Sequence, residues 1–348
     1  MRGVTFLGGR KLELAEFPDP APGPHDVVIA VKASGMCGSD LHPYRATGGT
    51  GSHGLGTAPG PVIAGHEPCG VVAAAGSAVD ERLVRVGDRV MVHHYGGCGA
   101  CRHCRTGWTQ MCDAGSIVYG RTGHGAHAPY MKVPSYTLVP LPDELSFATG
   151  AAISCGTGTA YQALRRINLA GGDTIAIVGQ GPVGLSATQF AAAMGARVIA
   201  LDISAERLTR AKDFGADALI DPGSNDAPAA IRELTHGLGA DVTLDTSGSA
   251  AGRIVAVRAT RKWGTTCFVG EGGDVTIEVS PDMLRKQLTI VASWTFSTTI
   301  QADCARFVVD HKIGVDHLFT HRWRLDEAEA AYQLFDKQTS GKGVFLME

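Results

Sequence analysis

Residues 174–184, TIAIVGQGPVG, join a short apolar run to the start of a helical pattern and place Gly179, Gly181 and Gly184 in G-x-G-x-x-G spacing. The first glycine permits a tight turn, the second lets the backbone approach a pyrophosphate, and the third lets strand and helix pack closely. Backbone N–H groups at the helix start, where Pro182 and Val183 lie, would face phosphate oxygens. The stretch predicts a dinucleotide-binding turn, although a glycine-rich turn of this kind often binds nothing.

The next apolar run, RVIALD (197–202), ends in a carboxylate eighteen residues after Gly184. At this position Asp202 can accept hydrogen bonds from an adenosine ribose and would repel a 2′-phosphate, which favours NAD(H) over NADP(H). The alternative is that Asp202 caps the helix that starts near Ser204. Arg207 lies nearby on that helix, where it would either reach the ribose or extend into solvent.

The two halves of the chain have different patterns. Before residue 155 the apolar runs are short and separated by Gly, Pro or Asp, as in DVVIAVKASG (26–35), which predicts an antiparallel β-barrel. From 156 to 295 strand and helix patterns alternate, which predicts a doubly wound α/β fold with a parallel sheet. From 296 to 348 a strand, a helix and a final strand are expected to return to the first domain.

Composition excludes several functions. The 348 residues carry a formal net charge of only −3, so neither nucleic acid nor an anionic membrane is an expected partner. We find no secretory signal and no apolar run near the about 20 residues of a membrane span, and therefore expect a cytoplasmic protein. Glycines crowd the stretch from 45 to 61, and its part from Gly48 to Pro61 is expected to form a wall or lid of the substrate pocket.

Four of the nine cysteines fall within fifteen residues, CGACRHCRTGWTQMC (98–112). Because thiols stay reduced in the cytosol, such a cluster indicates a metal site rather than disulfides. The thiolates of Cys98, Cys101, Cys104 and Cys112 can close a tetrahedron around Zn²⁺ and leave no open position, so a structural zinc lobe is predicted at about 96–114. An iron–sulfur cluster and unligated thiols are the alternatives.

A second set of potential ligands is scattered along the chain. It comprises Cys37 in GMCGSDLH, the pair His66 and Glu67 in GHE, and Cys155 in SCGTGTAY. A mixed sulfur, imidazole and carboxylate set is typical of catalytic zinc with a position kept for water or substrate. Taken singly, each residue could equally be a core thiol or a hydrogen-bonded polar group.

These motifs, in this order with the four-cysteine lobe, VGQGPVG and the terminal SGKGVFL, resemble the zinc-containing medium-chain alcohol dehydrogenases over essentially the whole chain. The resemblance implies a GroES-like catalytic domain (1–155, with 296–348) and a Rossmann coenzyme domain (156–295). It implies a catalytic zinc held by Cys37, His66 and Cys155, with Glu67 ligating in some states.

The resemblance also assigns roles around the metal and the coenzyme. Asp40 would orient His66, Ser39 would take the substrate proton, and His42 would pass it to solvent. The implied coenzyme contacts, beyond the glycine-rich turn, Asp202 and Arg207, are Thr159, Val269 and Lys342, the last in place of a pyrophosphate-binding arginine.

The expected activity is interconversion of an alcohol and an aldehyde or ketone with NAD(H), using two Zn²⁺ per subunit in a homodimer or homotetramer. Polyol and amino-alcohol dehydrogenases use the same machinery and remain an alternative, although Cys155 stands where those enzymes tend to have an acid. A non-catalytic NAD- and zinc-binding protein is the alternative from another class. Five histidines near the lobe are interpreted mostly as surface or hydrogen-bonded loop residues: His93, His94, His103, His124 and His127.

Overall fold

A computed structural model describes residues 1–47, 60–337 and 341–348 and divides the chain into two compact units. The first unit holds Met1–Gly158, continues from Phe296 and ends with Lys342–Glu348, and the second holds Thr159–Thr295. Most of the predicted pocket wall, residues 48–59, lies outside the described residues.

The first unit contains most of the strands. Before the chain passes into the second unit, the elements of the first unit are β1 (Arg2–Gly8), β2 (Lys11–Glu16), β3 (Asp26–Gly35), α1 (Leu41–Arg45), β4 (Glu67–Ala75), β5 (Arg89–Val92), β6 (Tyr95–Gly96), α2 (Arg102–Arg105), β7 (Ile117–Val118), β8 (Tyr130–Pro134), β9 (Leu138–Pro140) and α3 (Phe147–Ile153).

The second unit and the returning segment follow in chain order. Their elements are α4 (Gly156–Arg166), which begins at the boundary, β10 (Thr174–Val178), α5 (Pro182–Ala193), β11 (Arg197–Leu201), α6 (Ala205–Asp213), β12 (Ala218–Ile220), α7 (Ala227–Leu234), β13 (Ala240–Asp245), α8 (Ala250–Ala259), β14 (Thr260–Phe268), β15 (Thr289–Ala292), α9 (Thr298–Asp310), β16 (Phe319–Trp323), α10 (Ala328–Asp336) and β17 (Lys342–Leu346). In the described part of the chain no helix combines the length and the apolar character needed to cross a membrane.

The main sheet of the first unit has the strand order β16-β17-β3-β4-β5-β9, with β8 also paired to β3. The predicted run 26–35 forms the whole of β3, and its side chains Val27, Ile29 and Val31 are buried in the core. All pairs in this sheet are antiparallel except β16 with β17. The antiparallel pattern agrees with the sequence, and closure of the sheet into a barrel stays a prediction.

The second unit contains a six-stranded parallel sheet of order β12-β11-β10-β13-β14-β15. Numbered within the unit, the strand order is 3-2-1-4-5-6, which is the doubly wound order. The first three strands are added in one direction across the sheet and the next three in the other, so the order switches beside the first strand. The glycine-rich turn follows that strand, β10, so it lies at the switch point where such sheets bind their ligands.

Candidate metal and cofactor sites

The scattered ligand set converges in the first unit. Cys37 follows β3, His66 and Glu67 stand at the start of β4, and Cys155 lies between α3 and α4. Pairing of β3 with β4 places Gly35 opposite Glu67, two residues before Cys37. The ligand atoms of the four residues all lie within 4.8 Å of one another, and the two sulfurs are 3.9 Å apart. We call this set the mixed cluster.

Asp40 fixes the orientation of the histidine. His66 Nδ1 lies 2.8 Å from Asp40 Oδ1, and the Cys37 N–H donates to Asp40 Oδ2 at 2.8 Å. With Nδ1–H committed to the carboxylate, Nε2 is the nitrogen available to a metal, as in the carboxylate–histidine pairs of zinc sites. The Ser39 hydroxyl lies 3.2 Å from His66 Nε2 and 3.4 Å from Cys37 Sγ. This places Ser39 beside the ligand atoms, and its role in taking the substrate proton stays a prediction.

The groups of the mixed cluster change one another's ionisation. The neighbouring Cys155 thiol lowers the pKa of Cys37 well below its ordinary value, and the Cys37 sulfur raises the pKa of Cys155. Burial alone would lower the pKa of His66, but the Asp40 carboxylate and the Cys37 sulfur raise it well above its usual value. Burial would raise the pKa of Asp40, but His66 lowers it. A thiolate, a carboxylate and an imidazole in one buried site are the donor set that zinc prefers.

The sulfur geometry fits this ion. Metal–sulfur bonds of about 2.3 Å in a tetrahedron require sulfurs roughly 3.8 Å apart. The observed separation of 3.9 Å between Cys37 and Cys155 matches that requirement without movement.

Lys342 has a partner that the sequence analysis did not predict. Its Nζ is buried in the first unit, 2.7 Å from Glu67 Oε1 and 2.6 Å from Oε2, and also donates to the Met36 carbonyl at 2.9 Å. The ammonium group is thus paired with a buried carboxylate, and the predicted contact of Lys342 with a pyrophosphate stays a prediction. Burial raises the pKa of Glu67 to about 8 even though Lys342 opposes this shift, and Glu67 in turn raises the pKa of Lys342 against the effect of burial.

Gly35 makes room for this ion pair. A Cβ added to Gly35 would lie 2.0 Å from Glu67 Oε2 and 3.0 Å from Glu67 Cδ. Gly35→Ala is therefore expected to displace the Glu67 carboxylate from Lys342, lowering the free energy of unfolding by about 1–3 kcal/mol and the zinc content of the mixed cluster. Thermal denaturation and metal analysis of the purified variant measure both effects.

Gly38→Ala is the matched control, because a Cβ added to Gly38 meets nothing within 4 Å. It should leave melting temperature and zinc content at the parental values. A Gly35→Ala protein that behaves like Gly38→Ala would contradict this account of the site.

The four-cysteine lobe also forms a compact set, with all four sulfurs within 4.8 Å of one another. Backbone N–H groups point at these sulfurs: those of Ala100 and Cys101 donate to Cys98 Sγ at 3.4 and 3.3 Å, and that of Cys98 donates to Cys112 Sγ at 3.2 Å. Such donors stabilise thiolates, and the N–H of Cys104 is the main cause that lowers the pKa of Cys101 to about 6. All nine cysteines are free thiols, so the lobe is not closed by disulfides.

Four of the five histidines agree with the interpretation as surface or hydrogen-bonded loop residues, whereas His103 lies within α2. His93, His94 and His127 are buried, with exposed fractions of 2% or less, whereas His124 is on the surface. Each buried ring is hydrogen-bonded: His93 Nε2 to the Phe296 carbonyl at 2.9 Å and His94 Nδ1 to the Ser154 carbonyl at 2.6 Å, while His127 contacts two side chains. The burial of these three histidines could have been predicted from the apolar residues next to them in the sequence.

In the second unit the three glycines have distinct surroundings. Gly179 has a positive φ of 92°, and a Cβ added to Gly184 would lie 1.9 Å from the Gly179 carbonyl oxygen. A Cβ added to Gly181 would meet nothing within 4 Å, and Gly181 is the N-cap of α5 without a side-chain capping bond. Gly179 therefore forms the turn, Gly181 leaves open space beside the backbone, and Gly184 allows close packing. These are the three roles that the motif predicts for its glycines.

Asp202 has two backbone partners in this unit. Its Oδ2 accepts from the Gln180 N–H at 2.6 Å and its Oδ1 from the Ser204 N–H at 2.9 Å, and Arg207 Nη1 lies 3.7 Å from Oδ2. The carboxylate therefore ties the glycine-rich turn to the start of α6, whose N-cap is Ser204 and not Asp202. The Val269 N–H donates to the Asp245 carbonyl at 2.9 Å, and the predicted contact of the Val269 backbone with a carboxamide stays a prediction.

Thr159 lies in the first half of α4, and His42 follows Ser39 by three residues on the helical segment that runs into α1. Their predicted roles, toward the nicotinamide and in proton transfer, stay predictions.

Comparison with known proteins identifies the family. The model of the alcohol dehydrogenase GroES-like domain matches residues 23–143, and that of the zinc-binding dehydrogenase matches residues 182–310. An uncharacterized zinc-type alcohol dehydrogenase-like protein of Escherichia coli is 41% identical, covering 99% of this chain and 98% of that protein. The chain belongs to the zinc-containing medium-chain alcohol dehydrogenases. The predicted fold class, a GroES-like domain with a Rossmann-type parallel sheet, is confirmed.

Two further members of this alcohol dehydrogenase family are similar over nearly their whole length. Sorbitol dehydrogenase of Bacillus subtilis is 31% identical, covering 96% of this chain and 93% of that enzyme. The solved structure of an alcohol dehydrogenase from Thermus sp. ATN1 has a TM-score of 0.91 at 28% identity, with each chain covered completely. Membership of this family implies that the protein uses zinc and NAD(P) as cofactors.

Proposed function

We propose that the protein is a zinc-dependent oxidoreductase that interconverts an alcohol and an aldehyde or ketone with NAD(H), using one catalytic and one structural zinc per subunit. The observation that supports this proposal most directly is the mixed cluster, in which two sulfurs, an imidazole nitrogen and a carboxylate oxygen lie within 4.8 Å beside the Ser39 hydroxyl. The balanced reaction is R2CHOH + NAD⁺ → R2C=O + NADH + H⁺.

When bound, zinc would supply Lewis-acid polarisation of the substrate oxygen and the nicotinamide would supply the hydride acceptor. The residues of the chain hold the geometry and move the proton. Asp40 accepts from His66 Nδ1–H and fixes the ring with Nε2 toward the cluster. Ser39 accepts the substrate hydroxyl proton, and His42, three residues further along the helical segment, passes it to solvent.

Two substrate classes are favoured by different observations. Cys155 in the cluster, where polyol enzymes tend to have an acid, favours simple alcohols and aldehydes. The 31% identity to sorbitol dehydrogenase over 96% of the chain favours a polyol. We propose simple alcohols as the primary class and polyols as the second candidate.

Metal analysis and a substrate screen test the proposal together. The purified protein should contain two zinc atoms per subunit and should change absorbance at 340 nm with at least one of ethanol, secondary alcohols, benzyl alcohols and sorbitol in the presence of NAD⁺. Stoichiometric NADH binding without turnover across this panel, in both directions, would instead indicate a non-catalytic binding protein.

We also propose that the protein is a homodimer or homotetramer in the cytoplasm. The nine free thiols agree with a cytoplasmic location, where cysteines stay reduced.

The coenzyme preference depends on Asp202. Asp202→Asn keeps an acceptor for the Gln180 N–H and the approximate shape, but removes the negative charge that repels a 2′-phosphate. We expect NADH to bind several-fold more weakly and NADPH to bind more tightly, changing the NADH/NADPH preference by about tenfold, or about 1.4 kcal/mol. Fluorescence titration with each coenzyme measures the ratio.

Asp217→Asn is a suitable control, because that carboxylate accepts from the Val198 N–H at 2.7 Å on the neighbouring strand and is not assigned to the coenzyme. It should leave the ratio unchanged. Equal ratios for the parent and Asp202→Asn would remove Asp202 from coenzyme selection.

A further inference from the structure

Arg253 lies in the second unit, on helix α8, and is buried. Its guanidinium donates to three carbonyl groups in the segment that follows β14. The acceptors are the carbonyl of Gly273 at 2.6 Å, that of Gly270 at 2.7 Å and that of Gly272. We call residues 269–273 the β14 loop. Three hydrogen bonds from one planar, rigid group fix the course of this loop relative to α8.

The same guanidinium lies close to Asp245, the last residue of β13. Arg253 Nε is 3.6 Å from Asp245 Oδ2, and Asp245 Oδ1 accepts from the Ser247 hydroxyl at 2.6 Å. The backbone carbonyl of Asp245 accepts from the N–H groups of Val269 and Gly270 at 2.9 and 3.0 Å. Asp245 therefore holds the beginning of the β14 loop, and Arg253 holds the rest of it.

The β14 loop has little conformational preference of its own, because three of its five residues are glycine. Gly272 and Gly273 have positive φ angles of 83° and 65°. Gly270 packs against the turn after β13, since a Cβ added to it would lie 2.1 Å from the Gly248 nitrogen. Without the hydrogen bonds from Arg253 the loop would sample more conformations, and a ligand that contacts it would have to order it on binding.

The β14 loop follows the carboxyl end of its strand, as the glycine-rich turn follows β10 and Asp202 follows β11. A pyrophosphate at the turn and an adenosine ribose at Asp202 would occupy the half of the sheet formed by β10, β11 and β12. A doubly wound sheet has two mononucleotide-binding halves, and the second half here consists of β13, β14 and β15. The second nucleoside of the coenzyme, which carries the nicotinamide, would therefore meet the ends of β13 and β14.

We propose that Arg253 is a positioning residue for the nicotinamide half of the coenzyme. It holds the β14 loop in the conformation that binds this half, and it acts through the loop. A loop that is ordered in advance binds its ligand more tightly, because less conformational entropy is lost on binding. The inference rests on the NAD(H) binding of the proposed function but not on zinc or on turnover.

The test compares NADH with ADP, which keeps the adenosine and the pyrophosphate but lacks the second nucleoside. Arg253→Met removes every donor. Arg253→Lys keeps a positive charge beside the buried Asp245 but cannot donate to three carbonyls from a planar fork. Arg261→Met is the matched control, because Arg261 pairs with Asp241 at 2.6 Å near the amino ends of β13 and β14. Isothermal titration calorimetry measures both dissociation constants for each purified protein.

We expect Arg253→Met to bind NADH at least about tenfold more weakly than the parent, and ADP within about twofold of the parent. Arg253→Lys should bind NADH with an affinity between those two proteins, and it decides if Arg253→Met does not fold. Arg261→Met should bind both ligands like the parent.

Three results would overturn the inference: parental NADH affinity in the Arg253 variants, equal losses for NADH and ADP in them, or the same NADH-specific loss in Arg261→Met. Each of these leaves the proposed function standing, since the parent binds NADH in all three cases. A parent that binds no NADH overturns the coenzyme assignment of the proposed function and this inference together.

Discussion

Replacing His66 with alanine should lower turnover by at least about a thousandfold, which corresponds to about 4 kcal/mol of lost transition-state stabilisation. The imidazole is the only nitrogen donor of the mixed cluster, and its Nε2 lies 3.2 Å from the Ser39 hydroxyl. Without it the metal has one ligand fewer, and Asp40 loses the partner at Oδ1. Initial rates at 340 nm, together with zinc content, measure the loss.

NADH binding should remain close to the parental value, because the glycine-rich turn and Asp202 belong to the second unit. This separates loss of the metal site from general unfolding. His25→Ala is the matched control, since His25 is exposed and, among the described residues, only its backbone carbonyl forms a hydrogen bond, with the Ser135 N–H. Parental turnover in His66→Ala would refute the metal role assigned to the residue.

Much of the second unit could be predicted from local sequence. Each strand of the parallel sheet is a short apolar run followed by a turn and a helical pattern, so β10, β11 and their helices are visible without tertiary information. Helix α3 could not be found in this way. Six of its seven residues are buried, so it lacks an amphipathic stripe, and its glycine and threonine have low helix propensity.

The two metal sites also differ in how far local sequence predicts them. The ligands of the four-cysteine lobe lie within fifteen residues, so spacing alone indicated the site. The mixed cluster depends on the register of β3 with β4, which places Glu67 beside Gly35, and no local pattern encodes that pairing. Only the resemblance to a family brought those residues together in advance.

The contact between Lys342 and Glu67 has a tertiary cause. Strand β17 pairs with β3 so that Val344 lies opposite Gly35, which brings the nearby Lys342 ammonium to Glu67 and to the Met36 carbonyl. A buried lysine in contact with a carboxylate beside the ligands cannot be read from the terminal sequence alone. The hydrogen bond between His127 and Tyr332 could not be predicted for the same reason, because 205 positions separate the two residues.

Cys101→Ser should destabilise the protein while leaving the chemistry of the folded enzyme nearly intact. The lobe that contains Cys101 is a full cysteine shell, which leaves no position for substrate. An ion present at a hundred to a thousand times its dissociation constant stabilises the folded state by about 3–4 kcal/mol, so its loss should lower the melting temperature by about 10 °C. One zinc atom per subunit should disappear, while kcat at 25 °C should stay within about twofold of the parent.

The sulfur that is removed sits at the centre of the lobe's hydrogen bonding. The Cys104 N–H donates to Cys101 Sγ at 3.5 Å, and Cys101 Sγ lies 4.0 Å from Cys112 Sγ. A serine hydroxyl is a poor zinc ligand in this setting, because binding requires a deprotonated donor. Cys304→Ala is the control: it alters a buried thiol of the same unit that belongs to neither metal set, and should keep both zinc atoms. Unchanged zinc content and melting temperature in Cys101→Ser would show that the four sulfurs hold no structural ion.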